Sequence, residues 1–136
     1  VFVSFPTGGG DILKLITMIT NFEFLTREMT DEEKKLVPIL IKGFSTKTKD
    51  NPIKAPEIVQ AINGKRESLG LKSNFSEVRL RKIVNFIRAE GILPLIATSN
   101  GYYCSNDKEE IKSQIESLTQ RAEAIMSSAN GLNKFL

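Results

Sequence analysis

Ser76-Glu77-Val78-Arg79-Leu80-Arg81-Lys82-Ile83-Val84-Asn85-Phe86-Ile87-Arg88-Ala89-Glu90-Gly91 is followed closely by Leu95-Ile96-Ala97-Thr98-Ser99-Asn100-Gly101-Tyr102-Tyr103-Cys104. In the first stretch Leu80, Ile83, Val84 and Ile87 fall at i, i+3, i+4 and i+7, which predicts a helix over 76–90 that buries one face. At about 100° per residue, Lys82 and Asn85 lie nearly opposite that stripe, with Arg79 and Arg81 on its flanks. Asn74 or Ser76 suits the start and Gly91 the end. The second stretch is two short β-prone runs joined at Asn-Gly, a strong hairpin signal. A basic helix with a small hairpin directly behind it suggests a surface that reads something.

Working outward, 136 residues form one domain by the usual prior and can bury a core without staples. Hydrophobic content of 40% and charged content of 26% are ordinary for a globular protein. No apolar run approaches the roughly 20 residues of a membrane-spanning helix, so no membrane partner is expected. Val1-Phe2-Val3-Ser4-Phe5-Pro6 lacks the basic region and apolar core of a secretory signal. The single Cys104 rules out an intramolecular disulfide and fits a cytoplasmic location. Without histidine there is no Ser-His or Cys-His nucleophile pair, no His-based zinc site and no imidazole acid or base, so catalysis would have to rest on carboxylates, Lys or Tyr. A carboxylate-based metal nuclease is the reading that leaves, but the Asp/Glu clusters sit at helix starts where capping explains them, and the chain is read as non-enzymatic, with no cofactor and no metal.

Charge is unevenly placed. Residues 34–91 carry thirteen Lys/Arg against five Asp/Glu, a net of +8, whereas 1–33 net −4 and 92–136 net −1. Phosphate binding needs such a concentrated field rather than a high overall pI. Lysines that merely solvate a small domain are the competing explanation.

Before the basic helix, Val1–Phe5 is β-prone and Pro6-Thr7-Gly8-Gly9-Gly10 reads as a flexible arm, since the Gly-Lys-Ser/Thr ending of a phosphate loop is missing. Ile12, Leu15, Ile16, Ile19 and Phe22 sit at helical spacing within Asp11–Leu25. Thr30-Asp31-Glu32-Glu33 is a capping box, and consecutive acids about 100° apart on a helix cannot converge on one metal ion. The helix it opens is expected to reach about Lys42, with Leu36, Val37, Leu40 and Ile41 inward and Gly43 as its stop. Pro38 within it predicts a kink or a start nearer Leu36. A second helix is expected over 55–62, with Ile58, Val59 and Ile62 inward and Lys65–Leu69 continuing as a distorted turn. After the hairpin, Asn106-Asp107-Lys108-Glu109 caps a long helix in which Ile111, Ile115, Leu118, Ala122, Ile125 and Ala129 form a heptad seam, with Asn130-Gly131 expected to interrupt it. That seam either packs within the chain or pairs with a second copy.

The order of helices over 31–42, 55–62 and 76–90, then a hairpin over 95–104, resembles the winged helix-turn-helix superfamily. Leu69-Gly70-Leu71 before Asn74-Phe75-Ser76-Glu77-Val78-Arg79 is similar to the entry into that superfamily's basic helix. Leu80–Arg88 with Gly91 and Ser99–Tyr103 resembles small winged-helix proteins of phages and mobile elements. Two departures stand out: the long link Asn63–Ser73, and Val78, Phe86 and Ala89 on the outer side of the helix. The resemblance implies a mainly α fold with a small β-hairpin and a winged helix-turn-helix core at 31–105; the residues themselves add an N-terminal arm and helix at 1–30 and a C-terminal helix at 106–136, a dimerisation element if its seam pairs with a second copy.

It further implies binding of double-stranded DNA in a regulatory or replication-accessory role. Helix 76–90 would enter the major groove, with Arg79, Arg81, Lys82 and Asn85 at base edges or flanking phosphates. Lys54, Lys65, Arg66 and Lys72 would hold the backbone, and Ser99, Asn100 and Tyr102 would touch it from the wing. The bland counterparts are arginine stems shielding the core, a solvated Lys82 and Asn85, and hairpin packing of Tyr102 and Tyr103, one inward and one out. A different class of function is a protein-binding adaptor, or an inhibitor of a host factor such as a defence nuclease, favoured by the outer apolar residues and the acidic first third.

Overall fold

The computed structural model describes residues 29–136. The arm and the helix expected over 11–25 lie outside the described residues. The chain runs α1 (Asp31–Ser45), α2 (Ala55–Gly64), α3 (Arg66–Leu69), α4 (Glu77–Ala89), β1 (Leu95–Thr98), β2 (Gly101–Cys104) and α5 (Lys108–Asn133). It is mainly α with one antiparallel hairpin.

Thr30 caps α1 through its side chain, which accepts from the Glu33 N–H, and the Glu33 carboxylate accepts in return from the Thr30 N–H. Leu36, Leu40 and Phe44 lie four residues apart and are all buried, so the helix runs past Gly43 to deliver Phe44 to the core. Gly43 does not stop it because its φ is not positive. The Ser45 and Thr46 hydroxyls close the end by donating to the Lys42 and Gly43 carbonyls. Pro38 shifts the start no further along: the helix begins at Asp31, and Pro38 sits on an exposed face where water can take the carbonyl it leaves unpaired.

The second helix extends two residues beyond the expected 62, and the Lys65–Leu69 turn is helical over Arg66–Leu69. The link onward is held by one side chain. Asn63 donates from Nδ2 to the Phe75 carbonyl at 3.0 Å and accepts at Oδ1 from the Phe75 N–H at 2.9 Å. That pairing pins Phe75, wholly buried, beside Ile58, Ile62 and the α4 stripe Leu80, Ile83, Val84 and Ile87. Ser76 caps α4. At its far end Gly91, at φ 64°, lets its own N–H reach the Arg88 carbonyl and the Ile92 N–H reach that of Ile87.

In the hairpin, Leu95 pairs with Cys104 and Thr98 with Gly101. The turn centres on Ser99 and Asn100, both at negative φ, one residue earlier than Asn-Gly at its centre would require; Gly101, at φ 126°, instead opens β2. The free side of β2 is occupied by Ile53, whose N–H donates to the Tyr102 carbonyl (2.9 Å) and whose carbonyl accepts from the Tyr102 N–H (2.8 Å). The loop between α1 and α2 thereby adds a one-residue third rung to the sheet. Gly101 is required twice there: a Cβ on it would lie 2.6 Å from the Ile53 carbonyl oxygen. Gly101→Ala should therefore destabilise by about 1–3 kcal/mol from backbone strain alone. Urea titration measures this, and in it Asn100→Ala, at the exposed tip, should stay within about 0.5 kcal/mol of wild type.

On the outer edge of β1, the Ala97 N–H donates to Oε1 of Gln114 on α5 at 2.6 Å, so α5 blunts an otherwise open strand edge. Glu110 of the same helix accepts from the Tyr103 hydroxyl (3.0 Å) and the Ser105 hydroxyl, and lies 3.3 Å from Lys49 Nζ. The seam splits: Ile111, Ile115, Leu118 and Ala122 are half-buried, whereas Ile125 and Ala129 are exposed and Met126 is buried. Asn130-Gly131 does not interrupt α5, which continues to Asn133. Glycine in a helix interior costs only about 1 kcal/mol relative to alanine, too little to break a helix this long.

Candidate nucleic-acid interface

The residues singled out on α4 divide into two groups. Arg79 and Lys82 point back toward the start of α1 and converge on Glu33, whose side chain is only 1% exposed. Arg79 Nε donates to Glu33 Oε2 at 2.7 Å, and Lys82 Nζ donates to Oε1 at 3.1 Å. Arg79 also donates to the Ser73 hydroxyl, the Asn74 carbonyl and the Thr30 hydroxyl, and its Nη2 lies 3.7 Å from Glu32. Arg79 is 16% exposed and Lys82 28%. This corrects the expectation that Lys82, opposite the core stripe, and Arg79, on its flank, are both free to meet base edges or phosphates, and the reason is local: a capping carboxylate buried against α4 needs counter-charges, and these two are within reach.

Glu32 and Glu33 at the start of α1 are thus both engaged within the fold. Burial pushes the Glu33 carboxyl up, but Arg79, the Thr30 N–H and Lys82 outweigh it and hold it below its ordinary value. Glu32 accepts from the Lys72 N–H and the Ser73 hydroxyl, each at 2.9 Å, and these two bonds lower its pKa.

The second group remains available. Arg81 is exposed and Asn85 half-exposed. Val78, in the first turn, is 60% exposed, and Ala89 is exposed as well. Phe86, expected on the outer side, instead packs partly buried against the core. Arg88 shields the core stripe: its Nε donates to the Leu95 carbonyl at 3.0 Å, and burial lowers its pKa.

Lys54, Lys65 and Lys72 are exposed. Arg66 is half-buried, one guanidinium nitrogen donating to the Lys72 carbonyl at 3.2 Å. Lys65 and Arg66 border an open depression of about 640 Å³ that runs along Asn63–Ser68 to Leu71. At the hairpin tip Ser99 and Asn100 are exposed. Tyr102 is not free at the tip: it packs against the core with its ring edge-on to Phe44, centroids 5.6 Å apart, while Tyr103 is buried, so neither tyrosine of the pair faces outward. Cys104 packs half-buried in β2, where burial raises its thiol pKa.

Comparison with protein-family models, curated proteins and solved structures finds no match. The reading of this surface therefore rests on its own chemistry. Three features of the fold have partners that no local sequence signal names: the Glu33 cluster, the Asn63 clamp and the Ile53 rung. Only the first was half visible, since Thr30-x-x-Glu33 marks Glu33 as a capping residue without naming Arg79 or Lys82.

Proposed function

We propose that the chain is a non-enzymatic double-stranded DNA-binding module of winged helix-turn-helix type, with α4 entering the major groove and the hairpin serving as the wing. The observation that carries this reading is the placement of charge: the +8 segment contributes α2, α3 and α4, with Lys54, Lys65, Lys72 and Arg81 all exposed. In this reading Arg81 and Asn85 meet base edges, Arg pairing bidentately with guanine and Asn with adenine. Lys54, Lys65, Arg66 and Lys72 hold phosphates, Ser99 and Asn100 touch the backbone from the wing, and Arg79 and Lys82 fix the angle of α4 through Glu33. A regulatory or replication-accessory role follows, with a second copy joined through the exposed Ile125 and Ala129 end of α5.

Four phosphates neutralised by four cations set the salt dependence. Affinity for a duplex should fall roughly 10²-fold between about 50 and 200 mM salt. Arg81→Ala and Asn85→Ala should each weaken a preferred duplex by about 1–3 kcal/mol at fixed salt. Fluorescence anisotropy of a labelled duplex reads both.

One observation favours a second reading. Val78 is 60% exposed on a helix that has drawn two of its cations inward, which suits docking on a protein. Weak duplex binding that hardly responds to salt would decide for that adaptor.

A further inference from the structure

Of the four cations on α4, Arg79 and Lys82 share Glu33, and Arg81 is exposed to water. Arg88 is different. It is half-buried, yet among the described residues no carboxylate lies within ion-pair distance of it. Its Nε donates to the Leu95 carbonyl, while its Nη2 is buried and meets no acceptor. A buried guanidinium that lacks both a counter-charge and a hydrogen-bond partner is costly to keep.

The strand edge shows what stands beside it. Residues two apart on a strand turn their backbone groups to the same side. Arg88 takes the Leu95 carbonyl and Gln114 takes the Ala97 N–H, so both side chains cap the outer edge of β1. The last helix advances toward that edge: Glu110 lies against Tyr103 and Ser105 on the β2 side, and Gln114, one turn later, has reached β1. Arg121 shares the Gln114 face of α5, seven residues and so about 10 Å further on. It thus passes β1 on the side from which α4 brings Arg88. The charges agree with this placement: burial lowers the Arg88 pKa, Tyr102 raises it and Arg121 lowers it again, with no carboxylate among the groups that act on it. The nearest acids in sequence, Glu90, Glu116 and Glu123, lie about 140–200° round their helices from these arginines.

Arg88 also falls at i+7 from Arg81 and i+3 from Asn85, on the face of α4 that the proposed function turns to DNA. On that reading, we propose that Arg88 and Arg121 form a phosphate-binding site at the outer edge of β1, which takes a duplex backbone phosphate flanking the bases met by Arg81 and Asn85. Two planar guanidinium groups suit the oxygens of one phosphate. The site brings α5 into the interface and gives Arg88 the counter-ion that the fold does not supply.

Duplex affinity of the full chain, measured from about 50 to 200 mM salt, tests the site through Arg121, whose exposed side chain can be changed without disturbing the core. Arg121→Ala should weaken all sequences alike and reduce the slope of log affinity against log salt by about one. Arg121→Lys keeps the charge and should hold the slope, as should Lys134→Ala, just past the far end of α5. Arg121→Glu places a carboxylate beside Arg88, so it should melt a few degrees above Arg121→Ala while binding duplex more weakly. A slope unchanged in Arg121→Ala, or lowered equally by Lys134→Ala, overturns the site and leaves duplex binding standing. An Arg121→Glu chain no more stable than Arg121→Ala overturns it too, because the two arginines then do not face each other. If wild type binds no duplex, the DNA reading falls by itself and inorganic phosphate at fixed ionic strength judges the site. Stabilisation of wild type but not of Arg121→Ala keeps it as a site for a free phosphate group, and an equal response strikes it.

Discussion

Replacing Glu33 with alanine lowers stability by about 3 kcal/mol, the low end of the cost of orphaning a buried ion pair. The low end applies because Arg79 keeps the Ser73 hydroxyl, the Asn74 carbonyl and the Thr30 hydroxyl, and Lys82 retains some access to water. The loss combines a broken capping box with two cations deprived of the carboxylate they share. Glu33→Gln separates these, since an amide oxygen can still accept from the Thr30 N–H while the charge is gone. The pH profile supplies a second readout. The folded-state pKa of Glu33 lies below the ordinary 4.5. The stabilisation it brings is therefore complete above the unfolded value and lost as pH falls through the folded one. Wild type should weaken below about pH 4.5, and Glu33→Gln should show a shallower acid limb, with Glu32 and Glu110, both also lowered, accounting for the slope that remains. Urea denaturation between pH 3 and 7 measures both effects. An acid limb of unchanged slope in Glu33→Gln would remove Glu33 from this role.

Phe75→Ala is expected to cost about 3–5 kcal/mol, the usual range for emptying a core aromatic site. The site has little freedom to collapse. Phe75 is wholly buried between α2 and α4, and both of its backbone polar groups are fixed by Asn63. Asn63→Ala removes the clamp but leaves the ring, so it should cost less, about 1–3 kcal/mol for two buried backbone groups left unpaired. The comparison distinguishes packing from hydrogen bonding in one link. Equal losses in the two variants would mean that the clamp, not the ring, holds the link in place.

The parts of the fold legible in the sequence are those whose determinants lie within one or two helical turns. The α4 stripe, the Thr30 capping box, Ser76 and Gly91 each declare themselves locally, and the hairpin strands fall at 95–98 and 101–104 inside the stretch marked for them. Gly43 and Gly131 misled because a glycine ends a helix only when it takes positive φ, and at neither position does it do so. The candidate surface was half legible. Charge placement survives, but helical angle alone could not tell a free cation from one already engaged. Lys82 and Glu33 stand 49 residues apart in sequence, and no spacing rule joins them. Phe86 shows the same limit: a side chain on the angular border of a stripe is assigned by its neighbours in space, here the core cluster.

The third rung at Ile53 also has a bearing on the order in which the chain assembles. A hairpin of adjacent strands closes on a scale of about 1–10 μs, because its loop is short. Ile53 must instead find Tyr102 across 48 intervening positions, an encounter that is slow until α2 and α4 have shortened the path. The hairpin is therefore expected to close first as two strands, with the single Ile53 bridge added once the intervening helices have packed.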